Sequence, residues 1–136
     1  MDYHFVSVEE LSQGKTYSGA ATLISAHKLE LNWKQFSTAQ VWIENGPENE
    51  KNNIQFGCLA YPAIFEDNYS PLFGYWTVFL GSVLGQTSTY GKSTYELPAR
   101  VYRDSETGNW WLMFNVIIGY WPGELFTHLG NDASVV

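Results

Sequence analysis

Short apolar runs separated by turn-forming residues recur along the whole chain, and this rhythm limits the possible folds more than any other feature. Residues 39–44 alternate with a period of two, which places Gln40, Trp42 and Glu44 on one face of a strand. Residues 104–108 are rich in turn formers and separate two further strand-like runs, which predicts a hairpin. The pattern as a whole predicts antiparallel β-structure.

The other predicted elements follow from the same pattern. Pro98 predicts that its strand lies at a sheet edge or carries a bulge, because proline has no N–H to donate. A helix start is predicted only at Pro122, where Glu124 would lie near the positive end of the helix dipole. One short C-terminal helix among about seven or eight strands predicts an all-β antiparallel sandwich. The remaining strands are predicted at residues 19–25, 54–61, 72–82, 95–103 and 109–118, with a hairpin loop at 45–53.

Length and composition exclude several classes of function. The 136 residues suffice for a single domain, predicted to span residues 1–136. A formal net charge of −7, with scattered Lys and Arg, argues against a nucleic-acid partner and against an anionic membrane surface. No apolar run approaches the roughly 20 residues that span a bilayer. The N-terminus lacks the basic and apolar regions of a signal peptide, so none is expected in this sequence.

Residues suited to metal, cofactor or disulfide chemistry are scarce. Cys58 is the single cysteine, so no internal disulfide forms and no disulfide-linked partner is expected. The three histidines are far apart in sequence, and no pair has the spacing of metal ligands. No phosphate-binding glycine loop or nucleophile elbow is present. We therefore expect no metal and no cofactor.

Two polar residues stand out as candidates for chemistry. Gln55 and Gly57 lie two apart on one predicted strand, so they share a face opposite Phe56 and Cys58. A glycine there would let a substrate backbone approach the sheet, although a strand Gln is more often a solvent-facing residue. Glu124 follows an aromatic cluster at residues 120–122 that could desolvate it for acid–base work. Its simpler interpretation is a partner of the helix dipole.

Four segments, in the same order along the chain, resemble the catalytic domain of the neprosin-type glutamic peptidases. The first, at residues 36–46, contains FSTAQVWI followed by Asn-Gly; the second, at 61–77, contains Tyr-Pro, Asp-Asn and LFGYWT. The third runs from Asp104 to the TGNWWL of residues 107–112. The fourth, IGYWPGELF at 118–126, is the most specific. The resemblance covers about residues 17–134.

The resemblance implies a fold and a mechanism. It implies a concanavalin- or jelly-roll-like sandwich that hydrolyses peptide bonds in peptide or protein substrates at acidic pH, after proline. By motif, Glu124 would be the general base that activates water, and Gln55 would donate its amide to the oxyanion. A shifted alignment would instead implicate Ala63 or Glu66 as the partner of Glu124.

Substrate-binding residues are also predicted from the aromatic content and the resemblance. The walls of the cleft are predicted to be Trp42, Tyr120 and Trp121, with Gly57 at its floor. Family members are secreted, which implies an extracellular location. Measured against the family pattern, we expect this sequence to be a shortened form without the cysteine-bearing insert, the export signal and the C-terminal strands, and Cys58 stands where the family has a tryptophan.

A second hypothesis therefore stands beside the peptidase. The chain would be an inactive neprosin-like sandwich that binds a peptide or a carbohydrate through its aromatic face. The two hypotheses differ in geometry, because an active pair requires Gln55 and Glu124 to face each other across a cleft and share one water.

Overall fold

A computed structural model of the protein describes residues 4–10, 13–65, 72–75, 88 and 91–136. Glu66 and residues 76–82 of the predicted fourth strand lie outside this part of the chain. The strands are β1 (Gly19–Ser25), β2 (Ser37–Asn45), β3 (Asn52–Ala60), β4 (Leu72–Tyr75), β5 (Glu96–Arg103), β6 (Trp110–Met113) and β7 (Ile117–Trp121). The one short α-helix, α1, is Pro62–Phe65, and two 3₁₀ turns are Gly123–Leu125 and Leu129–Asn131.

The strands form two antiparallel sheets. One has four strands in the order β1-β5-β6-β7, and the other has three in the order β2-β3-β4. Almost no helix accompanies them, so the predicted all-β sandwich class is confirmed. Hairpins join β2 to β3 and β5 to β6, as the turn sequences predicted, because both loops carry the glycine and polar residues that tight connections need.

The core lies between the two sheets. In β3, Ile54, Phe56 and Cys58 point inward, and Val101 and Leu112 do so in the four-stranded sheet. Directly opposed residues of paired strands share a face, so Ile43 joins Ile54 on the inner side. Further core residues are Ile24, Ala26, Ala99, Trp110, Phe114, Trp121, Phe126, Leu129 and Ala133.

Gly74 of β4 allows the sheets to pack closely. A Cβ atom at this position would lie 2.8 Å from Leu112 Cδ2 and 3.4 Å from the Trp121 ring. The missing side chain therefore provides the space into which Leu112 and the indole of Trp121 pack from the opposite sheet.

Residues 109–118, predicted as one strand, are in fact a hairpin. β6 and β7 pair with each other, with a register shift between Leu112 and Met113. The reversal is closed by a bond from Phe114 N to Val116 O of 3.0 Å. The segment around Asn115 contains neither glycine nor proline, so the sequence carries no strong signal for this turn.

The predicted C-terminal helix is also corrected. The segment after Pro122 forms two separate 3₁₀ turns, because Phe126 between them adopts an extended conformation with φ −110° and ψ 128°. The side chain of Asn52 accepts the backbone N–H of His128 at 2.7 Å and that of Leu129 at 3.4 Å. These bonds take the place of helical ones, and Gly123 and Gly130 further weaken a helix here.

Pro98 occupies a local edge, as predicted. β5 lies between β1 and β6, but β6 pairs only with residues 100–103 of it. Among the residues that the structure describes, Pro98 therefore has a strand partner on one side, Leu23 of β1. Its missing N–H costs no ladder hydrogen bond on the unpaired side.

Candidate functional site

The outer face of the three-stranded sheet carries three of the predicted site residues. Trp42 of β2 is directly opposite Gln55 of β3, and Gln40 is opposite Gly57. Because opposed residues share a face, Trp42, Gln55 and Gly57 all point away from the core. Trp42 is 44% exposed, whereas Gln55 is half-buried. The chain thus brings an accessible indole beside a carboxamide.

Gln55 is held by its own strand. Its Nε2 donates to Asn53 Oδ1 at 3.4 Å, and Asn53 lies on the same face two residues earlier. A carboxamide has two N–H donors, so this bond leaves one of them for a ligand. Such a donor, neutral at every pH, is suited to a developing negative charge on oxygen.

Gly57 is required by the protein's own backbone. A Cβ atom here would collide with the carbonyl oxygen of Ala39 and lie 2.7 Å from the Cα of Gln40. The neighbouring strand β2 approaches Gly57 closely. Strand packing therefore explains why residue 57 has no side chain. The prediction that Gly57 makes room for a substrate backbone is therefore not supported by this position.

Glu124 lies elsewhere, in the first 3₁₀ turn after β7. Its side chain is exposed, and it forms no hydrogen bond or ion pair with any residue that the structure describes. The turn itself is fixed, because Gly123 N donates to Asn109 Oδ1 at 3.1 Å and Phe126 is buried. The aromatic cluster predicted to desolvate Glu124 does not cover it.

The two aromatics before Glu124 point in opposite directions. Trp121 is buried in the core, so the binding role predicted for it does not fit its position. Tyr120 lies on the outer face of the four-stranded sheet, where its ring centroid is 4.8 Å from that of Trp111. Consecutive strand residues alternate between faces, which is why neighbours in the motif separate.

Tyr120 belongs to an aromatic row that the sequence analysis did not identify. Tyr102, Trp111 and Tyr120 are in register across β5, β6 and β7. The Arg100 guanidinium lies 4.7 Å from the centroid of the Tyr102 ring. The period-two spacing of each strand could have indicated the shared face, but the register between strands could not be read from sequence.

Gln55 lies on β3, whereas Glu124 lies in the 3₁₀ turn after β7. Across the described part of the chain, no hydrogen bond or ion pair joins the two side chains. Of the predicted set, the structure therefore brings together Trp42, Gln55 and Gly57. It leaves Glu124 at an exposed turn, Tyr120 on another face and Trp121 in the core. Ala63, the alternative partner, is an exposed residue of α1.

Other candidate chemistries have little to support them. No group of three or more His, Cys, Asp and Glu side chains is arranged to hold a metal ion, as far as the described residues go. Burial raises the pKa of the Cys58 thiol to about 11, so it is a poor nucleophile near neutral pH. Among the described helices, none has the length and apolar character to cross a membrane.

A comparison with known protein families agrees with the fold and with the four resembling segments. The Neprosin family model matches residues 33–79 and 77–136, which together make up well over half of the chain. The matched region includes β2 to β7, and with them both sheets of the sandwich except β1. The chain belongs to the neprosin family.

Proposed function

We propose that this domain hydrolyses peptide bonds, with the outer face of the three-stranded sheet as the place where substrate binds. Membership of the neprosin family supports a peptidase-related role. The observation that carries the proposal is the position of Gln55, a half-buried carboxamide beside the accessible ring of Trp42. An extended peptide would fit this surface, because its side chains would pack against the indole of Trp42 while the N–H donor of Gln55 polarised one of its carbonyl groups.

The chemistry would divide between two residues. Gln55 would donate its second amide N–H to the carbonyl oxygen as negative charge develops there. One donor of this kind is worth about 10²–10³ in rate in other enzymes. Glu124 would accept a proton from the attacking water and return it to the nitrogen of the leaving amine as the C–N bond breaks.

Glu124 has the exposed carboxylate and the anchored backbone that a general base needs. Its carboxylate is exposed and carries no ion pair within the described residues, so water reaches it freely. Its turn is anchored by buried neighbours on both sides, Trp121 and Phe126. The pair must act on one bond, although Gln55 lies on β3 and Glu124 lies in the 3₁₀ turn after β7. The peptide would have to bring the scissile carbonyl within reach of both.

The test is cleavage of a proline-containing peptide at acidic pH, followed by mass spectrometry. We expect Glu124→Gln to lose activity about 10²–10⁴-fold, the usual contribution of a general base. Glu106→Gln is the matched control, because Glu106 is an exposed glutamate of the β5–β6 turn. Equal cleavage by Glu124→Gln and the unmodified protein would exclude Glu124 as the base.

Two further variants separate the remaining possibilities. Gln55→Ala should lower kcat with little change in KM if the amide acts on the transition state alone. Glu66→Gln tests the alternative partner that a shifted alignment suggests. Loss of activity in Glu66→Gln but not in Glu124→Gln would move the general base to that loop. The proposal includes an extracellular location, which detection of the protein in the culture medium would check.

A second candidate is a sandwich that binds a ligand without cleaving it, and the observation that favours it is the row of aromatic side chains on the four-stranded sheet. The row of Tyr102, Trp111 and Tyr120 would stack on a peptide or carbohydrate. Saturable quenching of tryptophan fluorescence, without turnover, is the expected result. Trp111→Ala should abolish it, whereas Trp33→Ala, an exposed tryptophan outside this row, should not.

A further inference from the structure

Two consecutive asparagines at the start of β3 make different contacts. Asn52 faces inward with Ile54, and its Oδ1 accepts the backbone N–H of His128 at 2.7 Å. Asn53 faces outward with Gln55, and its Oδ1 accepts from Gln55 Nε2 at 3.4 Å. Because neighbours along a strand alternate between faces, the first asparagine contacts the segment that follows β7, whereas the second lies on the proposed substrate face.

The Gln55 carboxamide has two ends that differ in chemistry but hardly in shape. Half a turn about its last bond exchanges the oxygen, which accepts hydrogen bonds, with the NH₂ group, which donates two. Only the NH₂ end can stabilise negative charge on a substrate carbonyl, since the oxygen would repel it. The orientation of this one group therefore decides whether Gln55 helps or hinders the reaction proposed above.

The bond to Asn53 selects one of these orientations. Oδ1 of Asn53 is an acceptor, so it bonds the NH₂ end of Gln55 and would repel the oxygen end. One N–H of Nε2 is thereby engaged along the strand, and the other has no partner among the residues that the structure describes. Both side chains are half-buried, so water competes only in part for the same groups.

The opposite strand contributes to the orientation of Asn53 itself. Glu44 of β2 is directly opposite Asn53 on the same face, and its side chain is only 13% exposed. Directly opposed side chains of an antiparallel pair have Cβ atoms about 4.5–5.5 Å apart. A carboxylate at this range attracts the NH₂ end of Asn53 and repels its oxygen, which favours an oxygen turned along β3 toward Gln55. Lys51 Nζ contacts Glu44 Oε2 at 3.4 Å and holds the carboxylate in place.

We propose that Asn53 is a positioning residue of the peptidase site, which fixes the Gln55 carboxamide with its second N–H directed toward the substrate. This role rests on the proposed function, because it takes Gln55 as the donor to the carbonyl oxygen. It adds that the donor is oriented before substrate arrives, so no rate is lost to the wrong one of two orientations. Asn53 itself touches no reacting atom.

The first measurement follows the Gln55 side chain by NMR of ¹⁵N-labelled protein. Its NH₂ pair is assigned as the pair that Gln55→Ala removes. In the unmodified protein we expect a heteronuclear NOE close to that of the β3 backbone, and in Asn53→Ala a markedly lower one. Asn53→Asp, whose carboxylate only accepts, should keep the high value. An unchanged NOE in Asn53→Ala would overturn the proposal and leave the donor role of Gln55 untouched.

Two controls separate positioning from a general effect on the fold. Asn52→Ala should lower the urea midpoint but leave the Gln55 NH₂ signals unchanged. Asn53→Ala should do the opposite, because its bond holds only a side chain of the outer face. Gln40, exposed on the same face and without a hydrogen bond to any described residue, should give a mobile NH₂ pair in every variant. If Asn53→Ala shifts the β3 backbone signals as strongly as Asn52→Ala, Asn53 is structural and the proposal is wrong.

A double-mutant cycle on peptide cleavage then tests whether the orientation matters for the rate. Asn53→Ala should lower kcat about two- to tenfold with little change in KM, as expected for one lost hydrogen bond. In a Gln55→Ala background the same change should have no further effect, because Asn53 acts only through that amide. Equal losses in both backgrounds would overturn the positioning role. If Gln55→Ala alone leaves kcat unchanged, the proposed function is wrong instead, and the NMR result on Asn53 is unaffected.

Discussion

The two ends of β2 differ sharply although one strand supplies both. At its C-terminal end, Ile43 is completely buried and Asn45 is tied to the last residues of the chain by bonds to His128 O at 3.1 Å and Asp132 O at 2.7 Å. At its N-terminal end, Ala39 and Gln40 are exposed beside an open cavity. We refer to these as the closed end and the open end.

This difference shows that the alternation of residues along a strand does not by itself determine which of them are buried. The period of two fixes which residues share a face, and Ala39 and Ile43 do share one. Burial requires a neighbour, and the segment that follows β7 supplies one only at the closed end. There, Asn52 Oδ1 and the indole of Trp110 also hold the segment, the latter through Trp110 Nε1 to Leu129 O at 2.9 Å. Four measurements test whether the closed end is stabilised by these contacts.

The largest effect is expected at Trp110. Its side chain is fully buried and donates to Leu129 O, so Trp110→Ala removes both packing and the bond. We expect it to lower the free energy of unfolding by about 3–5 kcal/mol. The control is Trp42→Ala, which removes a partly exposed indole and should cost less than half as much. Equal losses in urea denaturation would contradict a closed end stabilised by burial.

Asn52 should come next. Its Oδ1 accepts from His128 N at 2.7 Å, and the Leu129 N and Thr127 Oγ1 contacts are longer, at 3.4 and 3.2 Å. Asn52→Ala leaves these donors without this partner and should cost about 1–3 kcal/mol in the free energy of unfolding. Gln40→Ala at the open end is the matched control, expected within about 0.5 kcal/mol of the unmodified protein. If the two variants are equally stable, the side-chain bonds do not hold the closed end.

The β5–β6 turn packs against the first 3₁₀ turn of the segment that follows β7, since a Cβ atom at Gly123 would meet the backbone of Gly108. A hydrogen bond from Thr107 Oγ1, helped by the backbone N–H of Glu106, lowers the pKa of Asp104. A lowered pKa in the folded state adds stability that is present above the ordinary Asp value of about 3.9 and is lost as the pH falls through the folded value.

Asp104→Asn should therefore reduce stability at neutral pH, and the difference from the unmodified protein should shrink in strongly acidic solution. Urea denaturation of both proteins across this range measures it. A gap that stays constant, or widens, on acidification would show that the carboxylate does not stabilise the turn.

The smallest effect is expected at Cys58. This thiol is 4% exposed and lines a cavity of about 160 Å³ with residues 37–39 of the open end. Because its pKa is raised to about 11, little thiolate exists at mildly alkaline pH. Alkylation by iodoacetamide should be slow in the native protein and fast in urea. Rapid native labelling would mean that the open end frequently uncovers the core.

Much of this architecture could be predicted from local pattern. The strands near residues 19–25, 39–44 and 54–61, the parity of Gln55 and Gly57, and the turn at 104–108 depend on neighbours in sequence. The β6–β7 reversal was missed because Asn115 stands alone as a turn-favouring residue between Phe114 and Val116, with no glycine or proline beside it. The helix after Pro122 was wrong because a distant residue, Asn52, binds the N–H groups of that segment.

The candidate site was harder to predict because its geometry also depends on residues that are distant in sequence. Motif similarity selected Trp121 and Glu124, but the directions in which they point depend on how two sheets pack, which no local pattern contains. The pairing of Trp42 with Gln55 required the register of β2 against β3. The roles of Gln55 and Glu124 in catalysis stay predictions, and the variants described above test them.

The closure of one end by the last residues also constrains how the protein is made. Tyr17 pairs with Ala133, Asn45 bonds to Asp132 and Glu10 bonds to Val136, so these contacts join residues that are far apart in sequence, 87 positions in the case of Asn45 and Asp132. Contacts between residues far apart in sequence are slow to form, because a long loop must close first. During synthesis the β2–β3 hairpin emerges long before residues 127–136. The nascent chain must therefore hold a partly folded sandwich in solution, and chaperone dependence should track the delay before residues 127–136 leave the ribosome.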